Sequence, residues 1–420
     1  MTQGTAYQYR YHQPSVLTDA ATAPVLGLST TVGPGAPAED AVFLDAFAER
    51  ADVLAVGLLR VADVAASRFY VPPGAASRLA RTDPIITAGR GVARFESLSA
   101  CSGVAARLDV LPAGLDVAAE RAGTTNVDVG PDLRHVLAGV RRREPLRLVA
   151  GADGLGVRTL DGAVHERVVD LPERWVRSLA ALHVLTSVLV PVQDLDAAGA
   201  RRFVDALPRQ TPSTATFWVN PVAGGLRLAQ SAAPGGFRVA GPERLRLLAP
   251  VMRLATGLRV YAADGGACVT AWEAALPGAR LVLVLSPAAS RGFSGEGALL
   301  EDLAAGSPEA ELAAAGLLGY DLATGLWFER RLPFGLDLLR ANPRLAKAHR
   351  LVDDGAVQLS DGRAVVQGTT GRHLVRLGDD GAGRCTCAWY ARHGGDRGPC
   401  AHVLAVRIAL GTPGAERVEA

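Results

Sequence analysis

Four side chains near the C-terminus have the types and spacing to hold a metal ion. Cys385 and Cys387 are separated by a single threonine; twelve residues later come Cys400 and His402, separated by a single alanine. Thiolate sulfur and imidazole nitrogen are donors that zinc prefers, and structural zinc takes four of them at tetrahedral corners. Three thiolates and an imidazole fill such a site and leave no position for water, so the expected chemistry is structural, not catalytic. Other uses of these cysteines fit less well. Redox chemistry wants Cys-x-x-Cys, and neither pair has that spacing. Iron–sulfur ligation normally draws on cysteine alone. A buried, inert thiol is the ordinary state of a solitary cysteine, but three of the five cysteines fall within sixteen residues. Cys101 and Cys268 do stand alone and read as buried thiols. His393, in the glycine-rich loop between the pairs, competes with His402, whose place beside Cys400 favours it.

These spacings constrain the backbone that must position them. On a regular strand Cys-x-Cys would send its thiols to opposite faces, so the chain has to bend at Thr386. Gly381 and Gly383 help it leave the strand. Positions two apart on a helix diverge by roughly 200°. Cys400 is therefore expected just ahead of a helix and His402 in its first turn. Pro399 sets the entry, and the positive helix end favours the Cys400 thiolate. Strands are expected at Ala364–Gln367 and His373–Leu377, joined by a glycine turn. A helical run through Val403, Leu404, Val406 and Ile408 ends at Gly411.

A Cys-x-Cys followed by Cys-x-His between a β-hairpin and a helix resembles the SWIM zinc finger. The resemblance covers about residues 357–410, puts Cys385, Cys387, Cys400 and His402 at the ligand positions, and includes the closing GPCAHVLAV. Over much of its remaining length the chain is similar to bacterial, chiefly actinobacterial, SWIM-containing proteins. YRYHQPS, FESLSACSGVAARLDVL, GTTNVDV and GLLGYDLATGLWFERRLPF carry that similarity. The resemblance implies one structural Zn2+ and a role in binding DNA or protein. It also implies an assembly with a MoxR-class AAA+ ATPase and a von Willebrand A-type protein, because related proteins are often encoded beside these.

Charge limits the partners. Lys and Arg total 44 against 42 Asp and Glu, a formal net charge of +2. A globally basic, chromatin-like protein is excluded, but a local basic patch is not. Arg384, Arg392 and Arg397 surround the ligand loop. Trp389 has two roles open to it: stacking on a base, or packing with Tyr390 as the finger's small core. A second candidate for phosphate contact lies upstream. Short helices at 297–305 and 308–315, then a hairpin turning near Ala323–Gly325, make a winged-helix-like segment that places Arg330 and Arg331 on or near the wing. No basic, hydrogen-bonding recognition helix stands out, and AELAAAGLL carries almost nothing that could read a base edge.

The expected architecture is α+β and multidomain. It comprises a mixed N-terminal domain (1–144), a β-rich domain with a βββα duplication (145–290), the winged-helix-like segment (291–340), a ββα zinc finger (341–411) and a flexible tail (412–420). The duplication rests on Pro172-Glu173-Arg174 and Pro242-Glu243-Arg244, each opening a helix after three short strands. Its expected product is a continuous antiparallel sheet with helices on one face. Tyr7, Tyr9 and Tyr11 alternate as on a strand. Phe43, Phe47, Leu54, Leu58, Val61 and Val64 have helical spacing, ended by Pro72-Pro73. A strand is expected over Val104–Val110 and another near Val127 and Val129.

No phosphate loop, metalloprotease, nucleophile-elbow or dinucleotide fingerprint occurs, and an enzyme is not expected. The most polar strand-like stretch is Glu96 to Asp128, with Ser97, Ser99, Cys101, Arg107, Asp109, Glu120, Arg121, Thr124, Thr125 and Asn126. A Cys101 nucleophile would need a positioned histidine, and only His135 is near. The opening residues lack the apolar core of a signal peptide, and the longest apolar stretch, Leu179–Val192, is too short and polar to span a bilayer. The expected location is cytoplasmic, with no membrane partner. Three functions stay open: a zinc-stabilised adaptor for another macromolecule, a DNA-binding protein using wing and finger together, and an enzyme with its site in the N-terminal half.

Overall fold

The computed structural model describes residues 42–69, 84–169, 173–212, 215–263, 269–287, 292–293, 297–332, 342–360, 363–369, 371–378, 382–394 and 397–411, and four short strands within the first 32 residues. Tyr7, Tyr9, Cys268, Pro72-Pro73 and the tail 412–420 lie outside the described residues. Tyr11 lies in the short strand Arg10–Tyr11, paired with Thr31–Val32.

An eight-stranded antiparallel sheet organises the body. Its order is Gly123–Asn126, Ile85–Gly89, Val92–Leu98, Val104–Val110, Ala279–Leu285, Thr270–Leu276, Gly257–Ala263 and Leu189–Asp196. Every residue of the expected central strand Val104–Val110 is buried, so both faces of the sheet are covered. Strand alternation divides the two cores. Val104, Ala106, Leu108 and Val110 join one core with helix Ala51–Ala66, helix Ala197–Asp205 and the five-stranded sheet. Ala105 joins the other, with helix Glu173–Ser187, helices Ala298–Ala304 and Pro308–Ala314, and the C-terminal finger.

The boundary expected at 144/145 runs through paired strands. Val104–Val110 is bonded to Ala279–Leu285, and Val42–Ala48 to Arg147–Gly151. Segments 1–144 and 145–290 therefore share two sheets and a core. The duplication is not a repeated topology. Arg147–Gly151, Gly154–Arg158 and Ala163–Arg167 form a meander on one side of a five-stranded sheet. In the second set, Thr216–Val222 sits between Gly225–Ala229 and Phe237–Ala240, in a separate three-stranded sheet. A 3-10 helix, Pro242–Val251, follows it instead of an α-helix. Arg244, within the second of the matching motifs, is wholly buried and donates to the carbonyls of Gly103, Ala240, Gly241 and Ser286. Phe43 and Phe47 lie on strand Val42–Ala48, not on a helix, which begins only at Ala51. A spacing of four fits either period, because four is even.

The two short helices and the hairpin Leu318–Asp321/Leu326–Glu329 are present. The hairpin is not a free wing, however; it docks on the second face of the large sheet. Among the described residues no helix is long and apolar enough to cross a membrane. The Leu179–Val192 stretch is divided between the end of helix Glu173–Ser187 and the strand that starts at Leu189.

Candidate metal centre

The finger is a four-stranded sheet, Val357–Ser360, Arg363–Gly368, Gly371–Leu377 and Gly383–Cys385, followed by helices Ala388–His393 and Ala401–Gly411. The chain leaves the sheet directly after Cys385. Thr386 makes that exit without orphaning the neighbouring strand: its N–H donates to the Leu374 carbonyl, and its Oγ1 accepts from the Leu374 N–H at 3.0 Å. The bend brings Cys387 to the N-cap of the short helix, where its Sγ accepts from the Tyr390 N–H. Cys385 Sγ accepts from the Cys387 N–H. Cys400 stands one residue ahead of the last helix, with its carbonyl bonded to the Leu404 N–H, and His402 lies in the first turn.

The three sulfurs and one ring nitrogen all lie within 4.8 Å of one another. All four residues are buried. Nδ1 of His402 is 3.7 Å from Cys385 Sγ, a separation suited to two corners of a zinc tetrahedron. Nε2 of the same ring is buried without a partner and faces the space above Gly368. A Cβ on Gly368 would come within 3.2 Å of that atom and within 3.0 Å of the His373 ring. The His373 and His402 rings lie 4.3 Å apart, centroid to centroid. His393 is outside the cluster and packs on Trp389. Three soft thiols and an imidazole in a closed, buried set match a structural Zn2+.

The thiols are already differentiated electrically. Hydrogen bonding from Cys385, helped by the His402 ring and the Val403 backbone N–H and opposed by burial, holds the Cys400 thiol down at about 4. That N–H belongs to the helix start. Cys385 is pushed far up by its bond toward Cys400 and by burial, and Cys387 is raised chiefly by burial.

Residues outside the cluster hold it to the body. Arg344, in the first turn of helix Pro343–Asp353, donates to the carbonyls of Arg397 and Pro399 and lies 5.1 Å over the Trp389 ring. One guanidinium therefore ties together the segments that follow Cys387 and precede Cys400. Gly297, with φ +79°, lets the same loop approach; a Cβ there would meet the Arg397 carbonyl at 3.0 Å. Gly383 serves packing, because a Cβ would strike the Val403 side chain. The sequence pattern did not single out Arg344, since it lies more than forty residues before Cys385.

The other expected contact residues separate. Arg384, Arg392, Arg397 and Arg331 are exposed. Trp389 is half-buried and packs against the second core, as does Tyr390. Arg330 is buried and ion-paired to Glu96 at 2.8 Å, so it has no free surface for phosphate. Much of the polar stretch from Glu96 to Asp128 is tied up in interior contacts, whereas Glu120 and Arg121 make exposed bonds to the backbone of Gly91 and Val42. Asp109 meets Arg107 and Arg280, and Asp321 reaches from the hairpin to Arg94, Arg107 and Arg280. Ser97 donates to the Val61 carbonyl, and Ser99 Oγ accepts two backbone N–H groups. Asn126 donates to the Val169 carbonyl. His183, fully buried, accepts the Tyr320 N–H on Nδ1; burial and nearby arginines keep its pKa well below the ordinary value. No contact joins Cys101 to His135 among the described residues; Cys101 lies beside Ser99.

The SWIM zinc finger family matches residues 357–411. No curated protein matches the chain. Among solved structures, proliferating cellular nuclear antigen from Entamoeba histolytica is similar at a TM-score of 0.36 and 11% identity, covering 59% of this chain and 98% of that one.

Proposed function

We propose that this chain is a non-enzymatic adaptor whose SWIM finger, held by one structural Zn2+, presents a surface to another macromolecule while the body serves as a rigid mount. The closed Cys3His cluster carries this reading. Its four buried donors leave no position for a reacting water, so the metal's contribution is to fix the finger's shape. The ion pairs that Glu96, Arg107 and Asp109 make with one another and with Arg280 and Arg330 support the non-enzymatic part. A cytoplasmic, reducing location accords with unpaired thiols used for metal.

A protein partner is the favoured one. The family resemblance points to a MoxR-class AAA+ ATPase and a von Willebrand A-type protein as members of the assembly. Affinity capture of the tagged full chain from its native cells tests this: recovery of such proteins supports it, and recovery of no partner overturns it. DNA binding is the second reading, supported by the exposed Arg384, Arg392 and Arg397. Binding to duplex DNA that weakens steeply with salt would support that alternative.

A further inference from the structure

Strand pairing gathers the finger's arginines on its outer face. Leu359, Ala364, Val366, Val375 and Cys385 are buried on the inner face. The alternate positions point outward, and the register sorts them into rows. Arg376 stands directly opposite Arg384. Arg363, opposite Ser360 and one position beyond the Ala364–Val375 pair, comes beside Arg376. All three are exposed, and among the described residues none of them is in an ion pair. The next row has an apolar pair at its centre, Val365 opposite Leu374, between the exposed Gln358 and Thr386; Leu374 is 43% exposed. Beyond it Gln367 faces Arg372.

Like charges directly opposite across a sheet destabilise it, and among the described residues no carboxylate is paired with this row. From charge complementarity we infer that the outer face of the finger's sheet is a docking surface for an acidic protein segment carrying apolar side chains. Its carboxylates would meet Arg363, Arg376 and Arg384, and its apolar groups would cover Val365 and Leu374. Arginine suits carboxylate through paired N–H donors. The apolar pair favours a protein over a nucleic acid, whose phosphates gain nothing by covering leucine and valine. The finger's aromatic residues offer no stacking platform here, because Trp389 is engaged by Arg344 and His393. This inference rests on the adaptor reading and gives it a surface and a partner chemistry.

The test titrates the zinc-loaded full chain against a fluorescent peptide of alternating Glu and Leu. A peptide with Gln in place of Glu and a DNA duplex serve as comparators. The Glu/Leu peptide binds, and more weakly as salt rises; R376E/R384E weakens it roughly tenfold or more, and L374S about threefold. R384E alone puts a carboxylate opposite Arg376, so it keeps its zinc and its thermal midpoint while still weakening the peptide, which separates lost docking from lost folding. Equal binding by wild type and R376E/R384E, no binding of the peptide, or preference for the duplex would each overturn the inference. Native-cell capture distinguishes the two levels. A partner held equally by R376E/R384E overturns this surface and leaves the adaptor reading standing, whereas no partner for either chain overturns that reading itself.

Discussion

At Cys400 hydrogen bonding from Cys385, with His402, the helix-start N–H of Val403 and Cys387 adding to it against the effect of burial, lowers the thiol pKa and favours the thiolate. Cys385 and Cys387 are shifted the other way. Zinc needs all three sulfurs deprotonated. At neutral pH its binding should therefore release about two protons, and its affinity should rise with pH. Calorimetry in buffers of different ionisation enthalpy counts those protons; release of none would contradict the assignment. Cys400→Ser removes the thiolate, and the purified variant should contain no zinc by elemental analysis. His183 titrates with its own sign. Its folded pKa lies below the unfolded one, so the stability it contributes is complete above about pH 6.5 and is lost as pH falls further. Urea unfolding at pH 7.5 and 5.5 should show that loss, and His183→Gln should reduce it. The ligands were legible in the sequence because their spacing is local. His183 was not, since its partners Tyr320 and Glu96 come from distant segments.

Helices and strands that look ordinary one at a time become specific where they meet. The hairpin expected to be a wing instead places Asp321 among three arginines of the large sheet. Its carboxylate is held low by Arg107, Arg280 and Arg94 against the opposing effect of burial. Asp321→Asn leaves those guanidiniums under-compensated in the interior and should cost roughly 3–5 kcal/mol, read as a lower urea midpoint. Local periodicity had located both hairpin strands, but the direction in which the hairpin packs is a tertiary fact. Arg344 gives the matching case at the metal centre. Arg344→Ala frees the loop before Cys400 and the ring of Trp389, and should weaken zinc by about tenfold in competition with a chromophoric chelator. Unchanged affinity would show that the centre is organised without it.

The whole molecule is less divisible than its sequence suggests. Paired strands cross the boundary expected at 144/145, because antiparallel sheets join segments far apart in the chain and leave no local mark where they do so. The finger was legible as a module through its metal pattern, yet its buried residues run into the core that also contains Trp175, Leu179 and Phe293. Removing zinc should therefore lower the thermal midpoint of the body as well as the finger, seen as one shifted transition in calorimetry. A body transition unchanged by chelation would mean that the finger hangs free. The most direct test of the metal centre is zinc K-edge absorption spectroscopy with elemental analysis on the purified full chain. The expected result is one zinc per chain, with three sulfurs at about 2.3 Å and one nitrogen at about 2.0 Å. A chain free of zinc, or an ion surrounded mainly by oxygen, would contradict the convergence of Cys385, Cys387, Cys400 and His402 on a single metal.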